Sequence, residues 1–212
     1  ENILDVQVEP FFEWVVEKNA LKGDLGSLQG VHYVEDLAPY IERKLFTVNT
    51  GHAATAYFGL LKGHQTVLEA IMDEEVEQEV RGVLQETSAY IVKTYGFDAK
   101  EHAAYVDKII QRFKNPNISD DLVRVARSPI RKMSPGDRFV KPALGLLALG
   151  EEPKQLAKAL AALLKMVSEE DEEAVQLQKT IEEEGIIEAL RLYAHLDQDH
   201  PLSLLVRQAF GA

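Results

Sequence analysis

The chain has 212 residues, of which 46% are hydrophobic and 27% charged, a composition that supports a sizeable folded core and excludes an intrinsically disordered protein. The formal net charge of -12 argues against nucleic acid or an anionic membrane surface as a partner, and no apolar run reaches the roughly 20 residues of a transmembrane helix. The absence of cysteine excludes disulfide bonds and thiolate metal sites, and it suits the reducing cytoplasm in which we expect the protein to reside.

Two stretches near the start of the chain, residues 3–16 and 30–36, have the composition of β-strands and predict at most a small sheet. From Asp36 onward the hydrophobic period becomes helical, with Asp36 as the N-cap and Pro39 in the first turn. Further helices are predicted at residues 65–72, 73–95, 99–114, 119–127, 139–149, 153–168, 170–184 and 185–196. The sequence therefore predicts a mainly α, multi-helical single domain over residues 1–212, with a small β element near its N-terminus.

The helix that begins near Asp36 carries polar residues on its apolar face. At about 100° per residue, Lys44 lies near the centre of this stripe. Continuing the same helix brings His52 onto the stripe and Asn49 just beyond its margin. Small neighbours, Gly51 and Thr55, are expected to leave space beside them. The apolar members of the stripe are Leu37, Tyr40, Ile41, Leu45 and Val48.

These three polar side chains have the chemistry that oxidation of an alcohol requires in the absence of a metal. Burial and nearby cations lower the pKa of a lysine, so Lys44 is expected to accept a proton near neutral pH. Asn49 is able to donate to a developing oxyanion, and His52 is able to bind a hydroxyl or adjust the lysine. The alternative is structural, with Lys44 extending to the edge of the stripe and His52 hydrogen-bonded in the core.

A second polar region, residues 112–142, holds eight basic and three acidic side chains and so carries +5 in a chain of -12. Arg124 and Arg127 are three residues apart in a predicted helix and are expected to share a face. That helix is predicted to stop at the Ser-Pro pair that follows, so that Arg131 and Lys132 curl back from a turn. This set predicts a clamp for a small phosphate. The alternative is a set of arginine ion pairs that cross-link helices.

Two other polar features predict no site. The acidic run of residues 168–185 is expected to be a solvated helix face, with Val175, Leu177 and Ile181 as its buried stripe. The histidines lack the H-x-x-x-H or H-E-x-x-H spacing of metal ligands, and we therefore expect no metal site.

The first polar cluster and the segments around it resemble a known family. Lys44, Asn49 and His52 have the K-x4-N-x2-H spacing of the polyol-specific long-chain dehydrogenases. The stretches "EPFFEWVV", "IERKLFTVNTGHA", "RFKNPNISDD", "RVARSPIRK" and "GDRFVKP" are similar to the members of that family that act on mannitol 1-phosphate. The resemblance covers most of the chain and weakens after about residue 150. It implies a helical C-terminal dehydrogenase domain, of the 6-phosphogluconate dehydrogenase type, that follows an N-terminal Rossmann domain.

The resemblance also implies a reaction, the reversible oxidation of D-mannitol 1-phosphate to D-fructose 6-phosphate with hydride passing to NAD and no metal. By position, Lys44 is implied as the general acid or base, Asn49 as the oxyanion donor and His52 as a hydrogen-bonding residue on the substrate side. The partners implied are a sugar or polyol phosphate and the chain's own Rossmann domain, with no nucleic acid and no membrane.

The basic segment supplies the implied substrate-binding residues. Related mannitol 2-dehydrogenases bind substrate at positions that match Arg124, Arg127 and Lys132, and the middle position there is a histidine. An arginine at position 127 suits a phosphorylated substrate, because its planar group grips two oxygens at once. Arg131, from the same clamp, is the fourth candidate.

One large departure from the family concerns the cofactor. No strand in this sequence is followed by G-x-G-x-x-G, and Gly23, Gly26 and Gly30 have the wrong spacing for that loop. We therefore expect the Rossmann domain to lie outside this chain and the chain to be inactive alone. The alternatives are a sibling enzyme acting on an unphosphorylated polyol or a hexuronate, and a helical interaction module without catalysis.

Overall fold

The computed structural model describes residues 11–23, 26, 28–118 and 120–211. Contacts between residues divide the chain into two compact units, Glu1–Glu42 and Arg43–Ala212. No helix within the described residues combines the length and the apolar character that crossing a bilayer requires.

The first unit contains a two-stranded parallel sheet. Strand β1 (Trp14–Glu17) pairs with β2 (Val31–Val34) so that the first residues of the two strands lie opposite each other. A short 3-10 turn, Lys18–Ala20, follows β1. The small β element predicted near the N-terminus is therefore confirmed, while residues 3–10 of the first predicted stretch lie outside the described residues.

The remaining regular secondary structure of the described chain is helical, which confirms the prediction of a mainly α fold. In chain order they are α1 (Ala38–Lys44), a π-helical turn (Leu45–Asn49), α2 (Thr50–Leu61), α3 (Val67–Met72), α4 (Glu74–Tyr95), α5 (Ala99–Phe113), α6 (Leu122–Ala126), α7 (Pro129–Lys132), α8 (Val140–Ala148), α9 (Lys154–Leu164), α10 (Glu172–Glu184), α11 (Ile186–Tyr193) and α12 (Pro201–Phe210).

Two short helices were not predicted, α7 and α12. Both begin with a proline, which is favoured in the first helical turn because it needs no N–H partner there. At α12 the preceding His200 also caps the helix, since its Nδ1 accepts the Leu202 N–H at 3.1 Å. Pro129 and Pro201 interrupt the helical pattern of the sequence, and in the structure each is the first residue of a helix.

The acidic helix α10 buries a different stripe from the predicted one. Ala174, Leu177 and Thr180 are buried, three residues apart, whereas Val175 is 49% exposed. Ile181 is half-buried. The prediction of Val175 as a core residue was wrong, because it lies about 100° around the helix from Ala174 and so faces away from the core.

Helix α2 holds α3 and α6 close to itself through a glycine. A Cβ placed on Gly59 would lie 2.6 Å from the Cβ of Ala70 in α3 and 2.8 Å from Cδ1 of Leu122 in α6. At the other end of α6, the hydroxyl of buried Tyr57 donates to the carbonyl oxygen of Ala126 at 3.0 Å. Both ends of α6 are therefore fixed to α2, and α6 carries the first arginine of the predicted clamp.

Candidate functional site

The π-helical turn between α1 and α2 alters the direction in which the predicted site residues point. The backbone N–H of Thr50 donates to the carbonyl of Leu45, five residues earlier, instead of the four of an α-helix. The Thr50 hydroxyl donates to the same carbonyl at 3.1 Å and to the Arg138 carbonyl at 2.8 Å. This buried threonine therefore ties the π turn to the end of the basic segment.

The π turn changes the angle between Lys44 and His52 around the helix axis. In an uninterrupted α-helix these residues would be about 80° apart around the axis. A π turn uses more residues per turn, so each residue rotates less, and in ideal geometry this separation becomes smaller. Turns of this kind recur at functional sites, and this one lies between the candidate residues of the first polar cluster.

Lys44 does not have the environment that the sequence predicted. Its side chain is exposed, and Ile41 of the same predicted stripe is 56% exposed. The buried residues at this point of the chain are instead Phe46, Thr47 and Thr50. The predicted burial of Lys44 was wrong because α1, the regular helix that ends at Lys44, buries none of its residues, so its apolar stripe does not face the core.

The predicted space beside Gly51 is filled. A Cβ on Gly51 would lie 3.2 Å from side-chain atoms of both Leu84 and Phe113. The expected gap next to Thr55 is also absent, since Thr55 is fully buried and its hydroxyl donates to the Gly51 carbonyl at 2.8 Å. Gly51 therefore permits close packing of α2 on α4 and α5.

The basic segment turns sharply between α6 and α7. Helix α6 ends at Ala126, Arg127 is extended with φ -49° and ψ 153°, and Ser128 adopts the left-handed conformation with φ 59° and ψ 57°. The predicted helix stop near the Ser-Pro pair is confirmed. The predicted sharing of one helix face by Arg124 and Arg127 was wrong, because Arg127 lies beyond the end of the helix.

This turn and the start of α2 enclose a cavity of about 240 Å³. Six of the seven residues predicted for the site line it, and Lys44 does not. The lining residues are Asn49, His52, Ala53, Arg124, Val125, Arg127, Ser128, Arg131, Lys132 and Arg138. The structure thus brings the two polar regions of the sequence together at one cavity that presents five cations.

The arginines of the cavity differ in how they are paired. Arg124 forms an ion pair with Asp120, and Arg131 lies 3.9 Å from the nearest Asp137 oxygen. The guanidinium of Arg127 has no hydrogen bond or ion pair among the described residues, and its side chain is exposed. Arg127 is therefore the cavity arginine that is most available to an anion.

Lys132 is the buried lysine of this site, at 4% exposure. Its Nζ donates to the Val125 carbonyl at 2.8 Å and to the Arg127 carbonyl. Burial, reinforced by Arg138 and Arg131, lowers the pKa of Lys132 to about 8. The lysine with a lowered pKa is therefore in the basic segment.

His52 stacks on Phe113 with ring centroids 5.3 Å apart. Burial lowers the pKa of His52 below its ordinary value, and the nearby cations Arg124 and Lys132 act in the same direction. Asp120 opposes them, since its Oδ2 lies 3.2 Å from His52 Nε2. His52 is consequently favoured in its neutral form, which both donates and accepts hydrogen bonds.

The chain is similar in sequence to proteins of one known family. Residues 36–210 match the family described as the mannitol dehydrogenase C-terminal domain. The chain belongs to that family. It is 53% identical to a mannitol-1-phosphate 5-dehydrogenase of Geobacillus stearothermophilus, over 96% of this chain and 54% of the relative, and 52% identical to one of Bacillus licheniformis, again over 96% and 54%. This mannitol dehydrogenase domain thus spans about half the length of the curated relatives it matches.

Solved structures show the same fold as this mannitol dehydrogenase domain. A mannitol 2-dehydrogenase of Pseudomonas fluorescens, in a ternary complex with NAD and D-mannitol, superposes with a TM-score of 0.75 at 24% identity, over 96% of this chain and 44% of that one. A D-sorbitol dehydrogenase superposes with a TM-score of 0.69 at 21% identity, over 86% and 40%.

The sequence did not single out one residue of the site, Arg138. It is buried, its backbone carbonyl accepts from Thr50, and its Nε donates to Asp137 at 2.7 Å. It was counted only as one of eight basic residues. The signal that would have distinguished it is its position directly before the apolar pair Phe139 and Val140, both fully buried, which carries Arg138 into the interior with them.

The described residues of this mannitol dehydrogenase domain contain no group of three or more histidine and acidic side chains that could hold a metal ion. A Rossmann domain binds the pyrophosphate of NAD with a glycine-rich loop that directly follows a strand. The residues after β1 form a 3-10 turn, and Gly23, Gly26 and Gly30 keep their wrong spacing although each has positive φ. The described residues therefore do not fit the pyrophosphate of NAD.

Proposed function

We propose that this chain is the substrate-binding and catalytic domain of an NAD-dependent enzyme that interconverts D-mannitol 1-phosphate and D-fructose 6-phosphate. The observation that carries the proposal is the cavity in which Asn49 and His52 meet five cations, with Arg127 uncommitted to any carboxylate among the described residues. Relatives that are about half identical across the domain bear the name of this activity.

The phosphate of the substrate is assigned to Arg127. Its planar guanidinium donates two parallel hydrogen bonds to a phosphate, which a lysine cannot do. Arg131 adds a second guanidinium at the cavity, and Arg124, which is paired with Asp120, is assigned to substrate hydroxyls. Lys132, a buried residue of the cavity lining, is also assigned to substrate binding.

The polyol end of the substrate is assigned to the first polar cluster. Lys44 Nζ accepts the hydroxyl proton during oxidation and returns it during reduction. Asn49 donates a hydrogen bond to the oxygen as its negative charge develops, and neutral His52 bonds the same or a neighbouring oxygen. The π turn supports this assignment, because ideal π geometry reduces the angle between Lys44 and His52 around the helix axis. NAD, when bound, accepts the hydride.

NAD is assigned to an N-terminal Rossmann domain, as in the resemblance, because the described residues do not fit it. The β1–β2 pair supports such a partner. Parallel sheets in proteins are nearly always covered on both faces, whereas Trp14 of β1 is 60% exposed and Phe12 is 70% exposed. A preceding domain that contacts this sheet would bury both rings. A metal-free mechanism and a cytoplasmic location belong to the same proposal.

The proposal is tested by substrate screening of the complete enzyme with NAD. D-mannitol 1-phosphate, D-mannitol and a hexuronate are compared by kcat/KM under identical conditions. We expect D-mannitol 1-phosphate to be the best substrate by at least about tenfold, the worth of one charge-assisted hydrogen-bonded contact. A higher kcat/KM with an unphosphorylated polyol or a hexuronate would overturn it in favour of a sibling enzyme, and no dehydrogenase activity would favour an interaction module.

A further inference from the structure

Two acidic side chains at the N-terminus of α10, its N-cap Asp171 and Glu173, hold the backbone of the turn between α6 and α7. We call residues 127–131, which comprise the turn and the first three residues of α7, the cationic loop. The backbone N–H of Ser128 donates to Asp171 Oδ2 at 2.7 Å, and that of Arg131 donates to Glu173 Oε2 at 2.9 Å. The loop is therefore anchored at two points by carboxylates more than 40 residues further along the chain.

Asp171 has two functions at once. Its Oδ1 accepts the N–H of Glu173 at 3.1 Å and so caps the N-terminus of α10, while Oδ2 binds the loop. Ser128 has φ 59°, a left-handed conformation that is disfavoured for a residue with a Cβ. The charge-assisted hydrogen bond from its N–H opposes that cost. The same carboxylate thus fixes the start of the helix and the conformation of the loop.

The carbonyl side of the loop is held as well. Lys132 Nζ donates to the carbonyls of Val125 and Arg127, on either side of the end of α6. Backbone groups on both sides of the turn are therefore satisfied by side chains. This leaves the side chains of Arg127 and Arg131 at the cavity, and both are exposed.

We propose that Asp171 and Glu173 are positioning residues that hold the cationic loop in the conformation that binds the substrate phosphate. The proposal rests on the function proposed above. Five cations around a small cavity repel one another, and without an anchor the loop would open outward. The two carboxylates contact the loop backbone and do not line the cavity, so they oppose this repulsion without occupying the position of the phosphate.

Replacement of Glu173 by alanine in the complete enzyme tests the kinetic consequence. We expect Glu173→Ala to raise the KM for D-mannitol 1-phosphate about tenfold, the scale of one hydrogen bond to a charged group, with kcat within about twofold. The KM for D-mannitol, which has no phosphate, should stay unchanged. Glu172→Ala is the matched control, because Glu172 is an exposed neighbour in the same helical turn. Equal effects of the two variants, or equal losses for both substrates, would overturn the proposal.

Amide hydrogen exchange tests the anchoring without any substrate. We expect the Arg131 amide to exchange at least about tenfold faster in Glu173→Ala, and the Ser128 amide in Asp171→Asn. The asparagine still caps α10, so the fold is kept while the acceptor for Ser128 is weakened. Unchanged exchange in both variants would overturn the anchoring. If the wild-type enzyme does not oxidise D-mannitol 1-phosphate, the proposed function fails, and exchange still decides whether the loop is anchored.

Discussion

His52 Nε2 lies 3.2 Å from Oδ2 of Asp120, and this contact joins α2 to the segment that precedes α6. The second oxygen of the same carboxylate pairs with Arg124. Asp120 is thus shared between the first polar cluster and the basic segment. It joins His52 of α2 to Arg124 of α6 at the cavity, and it is the acidic group that acts to raise the pKa of His52.

Replacing Asp120 by asparagine should lower the pKa of His52 further. Burial and the surrounding cations already lower it, and Asp120 is the group that acts in the opposite direction. An NMR titration of the His52 ring should therefore show a downward shift in Asp120→Asn. The matched control is Asp73→Asn, which removes the carboxylate 3.1 Å from His64 and should leave the His52 titration unchanged. An upward shift of the His52 pKa in Asp120→Asn would contradict this electrostatic assignment.

Replacing Lys44 by alanine in the complete enzyme should lower kcat by at least about a hundredfold, the lower range of general acid-base catalysis. Steady-state kinetics measures the loss, and a fluorescence titration of NADH should show unchanged cofactor binding. Lys100→Ala, which changes an exposed lysine of α5, is the control. Near-normal turnover in Lys44→Ala would end the assignment of proton transfer to this residue.

A buried histidine outside the cavity should make the protein sensitive to acid. His102 is 2% exposed, its two ring nitrogens have no partner among the described residues, and burial beside Arg43 lowers its pKa to about 4. Between pH 6.5 and about 4, His102 is protonated in the unfolded chain and neutral in the folded chain. Stability is therefore lost as the pH falls through this window, by up to about 3 kcal/mol.

The His102→Gln variant should lose less stability than the wild type between pH 7 and pH 4.5, because glutamine does not titrate. Urea unfolding at several pH values measures the free energy of unfolding directly. His32→Gln, at an exposed position of β2, should show the wild-type pH dependence. Identical pH dependence of wild type and His102→Gln would show that His102 does not contribute.

Gly59→Ala should destabilise the helical unit. The added methyl group would lie 2.6 Å from Ala70 Cβ and 2.8 Å from Leu122 Cδ1, so α3 or α6 must move. We expect a net loss of about 2 kcal/mol in the free energy of unfolding, although alanine is the better helix former. Gly136→Ala, where nothing lies within 4 Å of the added carbon, should change stability little. A stabilised Gly59→Ala protein would contradict the close packing of α2.

Six of the seven candidate residues from the sequence line the cavity. The helical periodicity used to select the first polar cluster was nevertheless incorrect in part. Helical periodicity and family spacing selected Asn49 and His52 together with four residues of the basic segment, and all six line one cavity: the four are Arg124, Arg127, Arg131 and Lys132. The same periodicity placed Lys44 in the core, because it took the apolar stripe of α1 for a buried face, whereas α1 buries none of its residues. A π turn of five residues is encoded in contacts such as those of Thr50, which a periodic pattern does not register.

Long-range contacts account for what the sequence could not indicate. The acidic run was predicted to be a solvated helix face, and several of its glutamates are indeed exposed. Asp171 and Glu173, however, bind the backbone of the cationic loop, more than 40 residues earlier in the chain. Likewise, the lysine with a lowered pKa is Lys132, buried by the turn between α6 and α7. Neither relationship follows from residue spacing, because each depends on how separate helices pack.

The assignment of the substrate phosphate to Arg127 is tested most directly by one ratio, kcat/KM for D-mannitol 1-phosphate divided by that for D-mannitol. It is measured with NAD for the complete wild-type enzyme, for Arg127→Ala, and for Arg207→Ala as a control at an exposed position of α12. We predict that Arg127→Ala lowers the ratio about tenfold to a hundredfold, while Arg207→Ala leaves it unchanged. A ratio that is the same in the wild type and in Arg127→Ala would contradict the assignment.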